Sequence, residues 1–279
     1  MHDRAPGLDI SVPNVARIWD YQLGGKDNFE VDRHAAETLN ELCENVGAPD
    51  GRRVASESRA FLQRAVRCLA RAGVDQYLDI GSGLPTRGNV HEIAQEANPL
   101  ARTVYVDYDP SVLAHGNALL ADHNPSTAAT VVIKGDVRKP ETILQDKVLR
   151  GLLDLDRPVA VLLVAMLHLI PDTAAAAAIV ATFRDALSPG SYLVLTHTTS
   201  EHRPEAAVAL AAEFERLKVT TPLVPRRVDQ IRRFFDGFEL LEPGLVSPPQ
   251  WRPDTPVAPD DDSRWMYAGV GQTARAVRR

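Results

Sequence analysis

Two cysteines in 279 residues, Cys43 and Cys68, cannot make a disulfide framework, and their spacing matches no metal-ligand pattern. They read as free thiols in a reducing cytoplasm. Positive charge is in deficit as well: 31 Lys and Arg stand against 37 Asp and Glu, a formal net charge of -6. Neutralising phosphates takes a basic face, so no nucleic-acid partner is expected. Arg226, Arg227, Arg232 and Arg233 lie close together, and a solvated helix face explains them more simply than a docking patch. Long hydrophobic runs are missing: Val159 to Leu167, the longest, falls far short of the ~20 residues that span a bilayer. The opening MHDRAPGLD lacks the basic-then-apolar order of a secretory signal. These absences together lead us to expect a soluble cytoplasmic protein with no membrane partner, and no internal repeat suggests a solenoid.

What is present is ordinary globular material, 44% hydrophobic and 24% charged, enough for one α/β domain with additions. Residues 1 to 10 read as a tail and Ser11 to about Ala72 as helical, with Phe61, Leu62, Ala65, Val66 and Leu69 sharing a face. From Val74 onward, strands are expected at 76–80, 102–107, 129–134, 158–165 and 191–197, with helices between them. That alternation implies a parallel sheet covered on both faces. Helices follow at Pro204 to Lys218 and Val228 to Phe235, then two last strands at Phe238 to Leu241 and Trp265 to Val270. The proline- and acid-rich stretch Val246 to Ser263 is too long for a passive connection and reads as an active-site loop or as disordered. The expected division is 1–73, a helical cap, and 74–279, a ligand-binding core.

The chemistry begins at Tyr77-Leu78-Asp79-Ile80-Gly81-Ser82-Gly83, an apolar strand that delivers an acid and two glycines into a tight turn. Glycines there reach backbone angles closed to other residues and let a ligand touch the main chain. A dinucleotide fingerprint needs a third glycine at the position held by Thr86, so a nucleoside ligand without a diphosphate fits better than NAD. Asp107 ends the next strand 26 residues after Gly81, near the ~20-residue spacing at which a doubly wound sheet holds ribose hydroxyls. Asp109, directly before Pro110, suits the following helix cap. Asp136 and Val137 close the third strand, where a carboxylate can accept from an adenine amine and an amide can address a ring nitrogen. The bland readings, a plain strand-to-helix turn and a turn aspartate, stay open.

In order, YLDIGSGLPT, VYVDYDP, GDVRKP, PVAVLLVAMLHLIPD and LSPGSYLVLTH resemble a class I S-adenosylmethionine-dependent methyltransferase. The chain is similar in particular to a bacterial methyltransferase family first catalogued as a domain of unknown function. PNVARIWDYQLGGKDNFEVDR is then its N-terminal signature and GLVSPPQWRPD its C-terminal one, and the resemblance covers about residues 11 to 271. It implies a Rossmann-like fold of seven mostly parallel strands with helices on both faces, an N-terminal helical cap and S-adenosylmethionine as cofactor; it does not supply the methyl acceptor, for which a small molecule is our expectation. The alternatives are an NAD-dependent oxidoreductase and a non-catalytic S-adenosylmethionine sensor.

The cofactor residues expected are Tyr21, Gly24, Lys26, Asp79, Gly81, Gly83, Asp107, Tyr108, Asp136, Val137 and Ala165. The first three belong to a cap laid over the crevice, with Tyr21 near the ligand, Gly24-Gly25 giving close backbone approach and Lys26 meeting a carboxylate. A helix C-cap at Gly24 explains the glycines equally well. His168 follows the fourth strand where the methyl group should lie, and it is the candidate general base; His197 is a weaker one. Methyl transfer is an in-line displacement that depends on alignment and desolvation, so a base is not required.

Overall fold

Tyr77 and Leu78 are neighbours in sequence yet belong to different cores, because successive strand residues point to opposite faces. Leu78, Ile80, Val104, Val161 and Leu163 face one side, and Tyr77, Leu162 and Val194 the other. The strands behind them are β1 (Gln76–Ile80), β2 (Arg102–Asp107), β3 (Thr130–Lys134), β4 (Ala160–Val164) and β5 (Tyr192–Thr198). All five run parallel, and β1 is buried along its whole length, which is why it reads as an unbroken apolar run. The computed structural model describes residues 8–85, 88–120, 129–258 and 262–274. Thr86, which governs the dinucleotide reading, lies outside them.

The sheet has seven strands in the order β3-β2-β1-β4-β5-β7-β6, where β6 is Phe238–Leu240 and β7 is Met266–Thr273. β7 is antiparallel to both β5 and β6. Strand order reverses between β1 and β4, and a doubly wound sheet opens its ligand crevice at that point, beyond the carboxyl ends.

Three helices precede the sheet: α1 (Val15–Gln22), α2 (Glu30–Asn45) and α3 (Gly51–Arg71). Asn14 caps α1 by accepting from the Ala16 amide at 2.8 Å, and Asp50 caps α3 through the Arg52 amide. The α3 stripe of Phe61, Leu62, Ala65, Val66 and Leu69 packs in the same cluster as Tyr77 and Val194. Asp32 on α2 takes the Arg17 guanidinium at 2.7 Å, with both side chains almost completely buried. Removing either partner would strand a buried charge. The core helices are α4 (Val90–Ala97), α5 (Pro110–Leu120), α6 (Pro140–Leu144), α7 (Lys147–Leu152), α8 (Thr173–Ala186), α9 (Pro204–Arg216) and α10 (Val228–Arg232).

Two expectations fail here. Arg226 is only 1% exposed and does not join a solvated face. Its guanidinium donates to Thr173 Oγ1, to the carbonyls of Leu167, Ile170 and Pro171, and to His197 Nε2, so it pins the turn after β4 to the end of β5. The stretch after Val246 is likewise no active-site loop over its described residues. Val246 pairs with Ala268, and Trp251 is fully buried edge-on to Phe61 of α3; neither lines the crevice. Among the described residues no helix is long and apolar enough to cross a membrane.

Candidate functional site

One cavity gathers the carboxyl ends of β1 to β5 beneath α1. Gly81 sits at φ +68° with its amide bonded to the Val106 carbonyl, and a Cβ there would fall 2.2 Å from Met166 Sδ. Any other residue would be strained and would push Met166 from its place. Gly83 also lies in the left-handed region, at φ +66°, but nothing stands within 4 Å of where its Cβ would be. Its backbone therefore faces open space, as a turn that meets a ligand must.

Asp107 is buried and held by two main-chain donors, Gly83 N on Oδ2 at 3.1 Å and Asp109 N on Oδ1 at 3.0 Å. Each oxygen keeps a further lone pair. Burial pushes its pKa above the ordinary carboxylate value. Asp79, buried at the tip of β1, is pushed up to about 7 by burial; the Arg59 guanidinium of α3 opposes the shift, and the Asp107 charge adds to it. Asp109 accepts from the Ser111 amide and hydroxyl at the start of α5, and its other oxygen takes the Asn14 side-chain amide at 2.6 Å. That bond ties α1 to the tip of β2.

Tyr108, Gly135 and Val137 line the cavity beside β2 and β3. Val164, Ala165 and Met166 continue the wall at β4. Ala165 adopts φ +55°, uncommon outside glycine, and its amide donates to Thr196 Oγ1 at 2.9 Å, which in turn meets Ser58 Oγ of α3 at 3.1 Å. Of the expected cofactor residues, Asp79, Gly81, Gly83, Asp107, Tyr108, Val137 and Ala165 come together here.

The other four do not. Tyr21 turns away from the cavity: its hydroxyl donates to Glu37 on α2, and Arg52 lies over its ring at 5.7 Å. Gly24 follows the C-cap of α1 at φ +78° and donates to the Tyr21 carbonyl, so its role is to end the helix. Lys26 is exposed beyond that turn and is not part of the cavity wall. Asp136 is drawn aside by the Arg138 guanidinium at 2.7 Å, which holds its carboxyl below the usual range.

The cap residues that do reach the cavity are others: Asn14, Ile18, Trp19, Asp20, Gln22 and Leu23. Asp20 is the least expected. It is 3% exposed, and its Oδ2 accepts from the Asp27 amide and the Asn28 side chain at 2.9 and 2.7 Å. Gly25 makes room for it, since a Cβ there would stand 1.9 Å from Asp20 Oδ1. The WDYQLGGKDN string gave no signal of it, since a helix C-cap accounts for the glycines without reference to the acid.

His168 lines the cavity from the short turn Leu167–Leu169. Thr198 N donates to its Nδ1 at 3.4 Å, which leaves the ring proton on Nε2. Burial and the nearby Arg226 charge push its pKa down to about 3. A neutral ring with its proton already on the remaining nitrogen is a donor, and the expected general-base role does not suit it. His197 is sealed behind it between Arg226 Nη1 and the Thr198 carbonyl, out of reach of any ligand.

The sequence profile of the S-adenosyl methyltransferase family matches residues 1–274. A crystal structure of a candidate methyltransferase from Thermobifida fusca is similar at 45% identity, covering 96% of this chain and 98% of that one with a TM-score of 0.87. A protein of a domain-of-unknown-function family from Streptomyces avermitilis is similar at 35% identity over 95% and 99%, with a TM-score of 0.86. Magnesium protoporphyrin IX methyltransferase from Synechocystis, solved with S-adenosylhomocysteine, shares the fold at 11% identity over 87% and 99%, with a TM-score of 0.50. No curated protein matches the chain.

Proposed function

The chain belongs to the S-adenosyl methyltransferase family and is an enzyme that uses S-adenosylmethionine; from that premise we propose how its own residues divide the work on a small-molecule acceptor. The observation that carries the reading is the convergence of Gly83, Asp107 and Val137 on one cavity roofed by α1. The cofactor supplies a methyl group on a positively charged sulfur, open to in-line displacement. The residues present fit such a group: an open backbone at Gly83 for the amino-acid end, a fixed carboxylate at Asp107 for two ribose hydroxyls, and Val137 beside a flat ring.

Asp79 and Asp107 place negative charge near the positive sulfur and ammonium groups. Asp107 is already oriented by Gly83 and Asp109, so binding costs it little further ordering. α1 excludes water from above, and the Ala165–Thr196–Ser58 bonds hold the β4 tip against α3 so that it can align the reacting atoms. Calorimetry with S-adenosylmethionine, S-adenosylhomocysteine and NAD tests the reading. Binding of the first two and not the third is expected; tight NAD binding would overturn it.

A further inference from the structure

The cavity is longer than the strand tips require. Past Ala165 it runs between α1, α2, α3 and α9, with Trp19, Leu39, Val54, Leu210, Phe214 and Trp265 in its walls. Most of these side chains form a single apolar cluster. The polar groups along this end are largely spent on each other. The Gln22 and Asn40 amides pair reciprocally at 3.0 and 3.3 Å, and the Ser58 hydroxyl is engaged with Thr196.

Two donors are left over. The Thr221 hydroxyl oxygen is buried without a hydrogen-bond partner, and among the described residues none accepts from His168 Nε2. Both residues line the cavity, and the strap that carries Thr221 is tied at one end to Pro13 through Thr220 and at the other to the His168 carbonyl through Val224. Charge along the cavity has one dominant sign: Asp20, Asp79, Asp107 and Asp109 against Arg59, which faces Asp79 and donates to Asn89 at 3.2 Å.

Resting on the function proposed above, we infer that the acceptor is a neutral, largely apolar small molecule methylated on an uncharged nitrogen, with an oxygen elsewhere on it held by His168 and Thr221. A carboxylate or phenolate acceptor would enter an apolar chamber lined by carboxylates, where desolvation and like charge both oppose it. A hydroxyl acceptor has a proton to lose as the methyl arrives, and His168, with its Nδ1 taken by the Thr198 amide, is placed to donate and not to receive it. A nitrogen lone pair needs neither. As it forms the N–CH3 bond the S–CH3 bond breaks, the electron pair stays on sulfur as a neutral thioether, and the positive charge passes to nitrogen. No proton moves in that step, and the acidic lining faces one positive charge before and after.

The probes are matched one- and two-ring acetyl-substituted compounds carrying a pyridine-type nitrogen, a hydroxyl or a carboxylate, followed by labelled methyl transfer and by calorimetry on the S-adenosylhomocysteine complex. The nitrogen compounds should bind and take the label. Label in the hydroxyl or carboxylate compounds instead, or binding by none, overturns the inference; failure of the wild type to bind S-adenosylmethionine at all would instead overturn the function on which it rests. His168→Gln keeps a donor and should stay within about threefold of wild-type kcat/KM, whereas His168→Ala should lose about tenfold, mostly in KM. Thr221→Val, which leaves packing intact, should raise KM about fivefold. The wild-type kcat/KM profile should follow only the acceptor's own protonation. An enzyme group titrating near 6.5 and abolished in His168→Gln would reinstate the base and overturn the inference.

Discussion

Asp79 is a carboxyl whose ordinary value of 3.8 has been lifted to about 7 by burial, in a cavity built for a cationic ligand. A positive ligand beside it favours the ionised form and lowers that value. Binding should therefore release a proton near neutrality, and S-adenosylmethionine affinity should rise between pH 6 and 8. Calorimetry in buffers of different ionisation enthalpy reads the proton directly; uptake, or none, would separate Asp79 from the cofactor. Asp107 carries a different load. Its two oxygens are already oriented by main-chain amides, and the ribose role proposed for it predicts that Asp107→Ala removes those bonds and the order of the Gly83 turn together. A loss of about 1 to 3 kcal/mol, roughly 5- to 150-fold in affinity, is expected; wild-type affinity in that variant would free Asp107 from the ribose. Asp107 was legible because strand tips announce themselves by pattern. Asp20 was not, because nothing in a helical octapeptide says which side faces a cavity when both sides are buried.

At the scale of elements, α1 and the turn behind it show why the glycine pair misled. Gly24 and Gly25 were read together as an approach to ligand, yet Gly24 terminates the helix and Gly25 vacates space for the Asp20 carboxylate. Gly25→Ala must displace Asp20 from its Asp27 and Asn28 donors, and should cost about 2 kcal/mol of stability in urea titration. Gly24→Ala meets no neighbour and should cost only the left-handed backbone penalty, about 1 kcal/mol. Equal losses in the two variants would contradict that division of labour. The β4 turn was half legible: its position at the crevice followed from an apolar central strand, but the buried Arg226 that pins it sits about 60 residues downstream in a cluster that looks like surface. Sequence proximity to other arginines says nothing about burial when the partners are carbonyls.

For the whole molecule, the alternation of strands and helices and the glycine turn were enough to draw the sheet, since parallel strands buried on both faces leave an unmistakable apolar run. What the pattern could not convey is that α3 shares a cluster with the sheet, and that Trp251, deep in that cluster, comes from a stretch whose prolines and acids suggested a loop. Global stability should report the two buried histidines. Both have values below 6.5 in the fold, so as pH falls below 6.5 the unfolded chain takes up protons the native chain refuses. Relative to His168→Gln, the wild type should therefore lose up to about 1.4 kcal/mol per pH unit between 6.5 and 5, and show no such divergence above 7.5. A pH-independent difference would mean His168 takes up its proton in the native state as readily as in the unfolded chain. The roof has a kinetic meaning too. One eight-residue helix lines both the strand tips and the apolar end, so methylated product and spent cofactor leave past the same wall; turnover limited by that release should slow in proportion to added solvent viscosity, and turnover indifferent to viscosity would put the slow step in the chemistry.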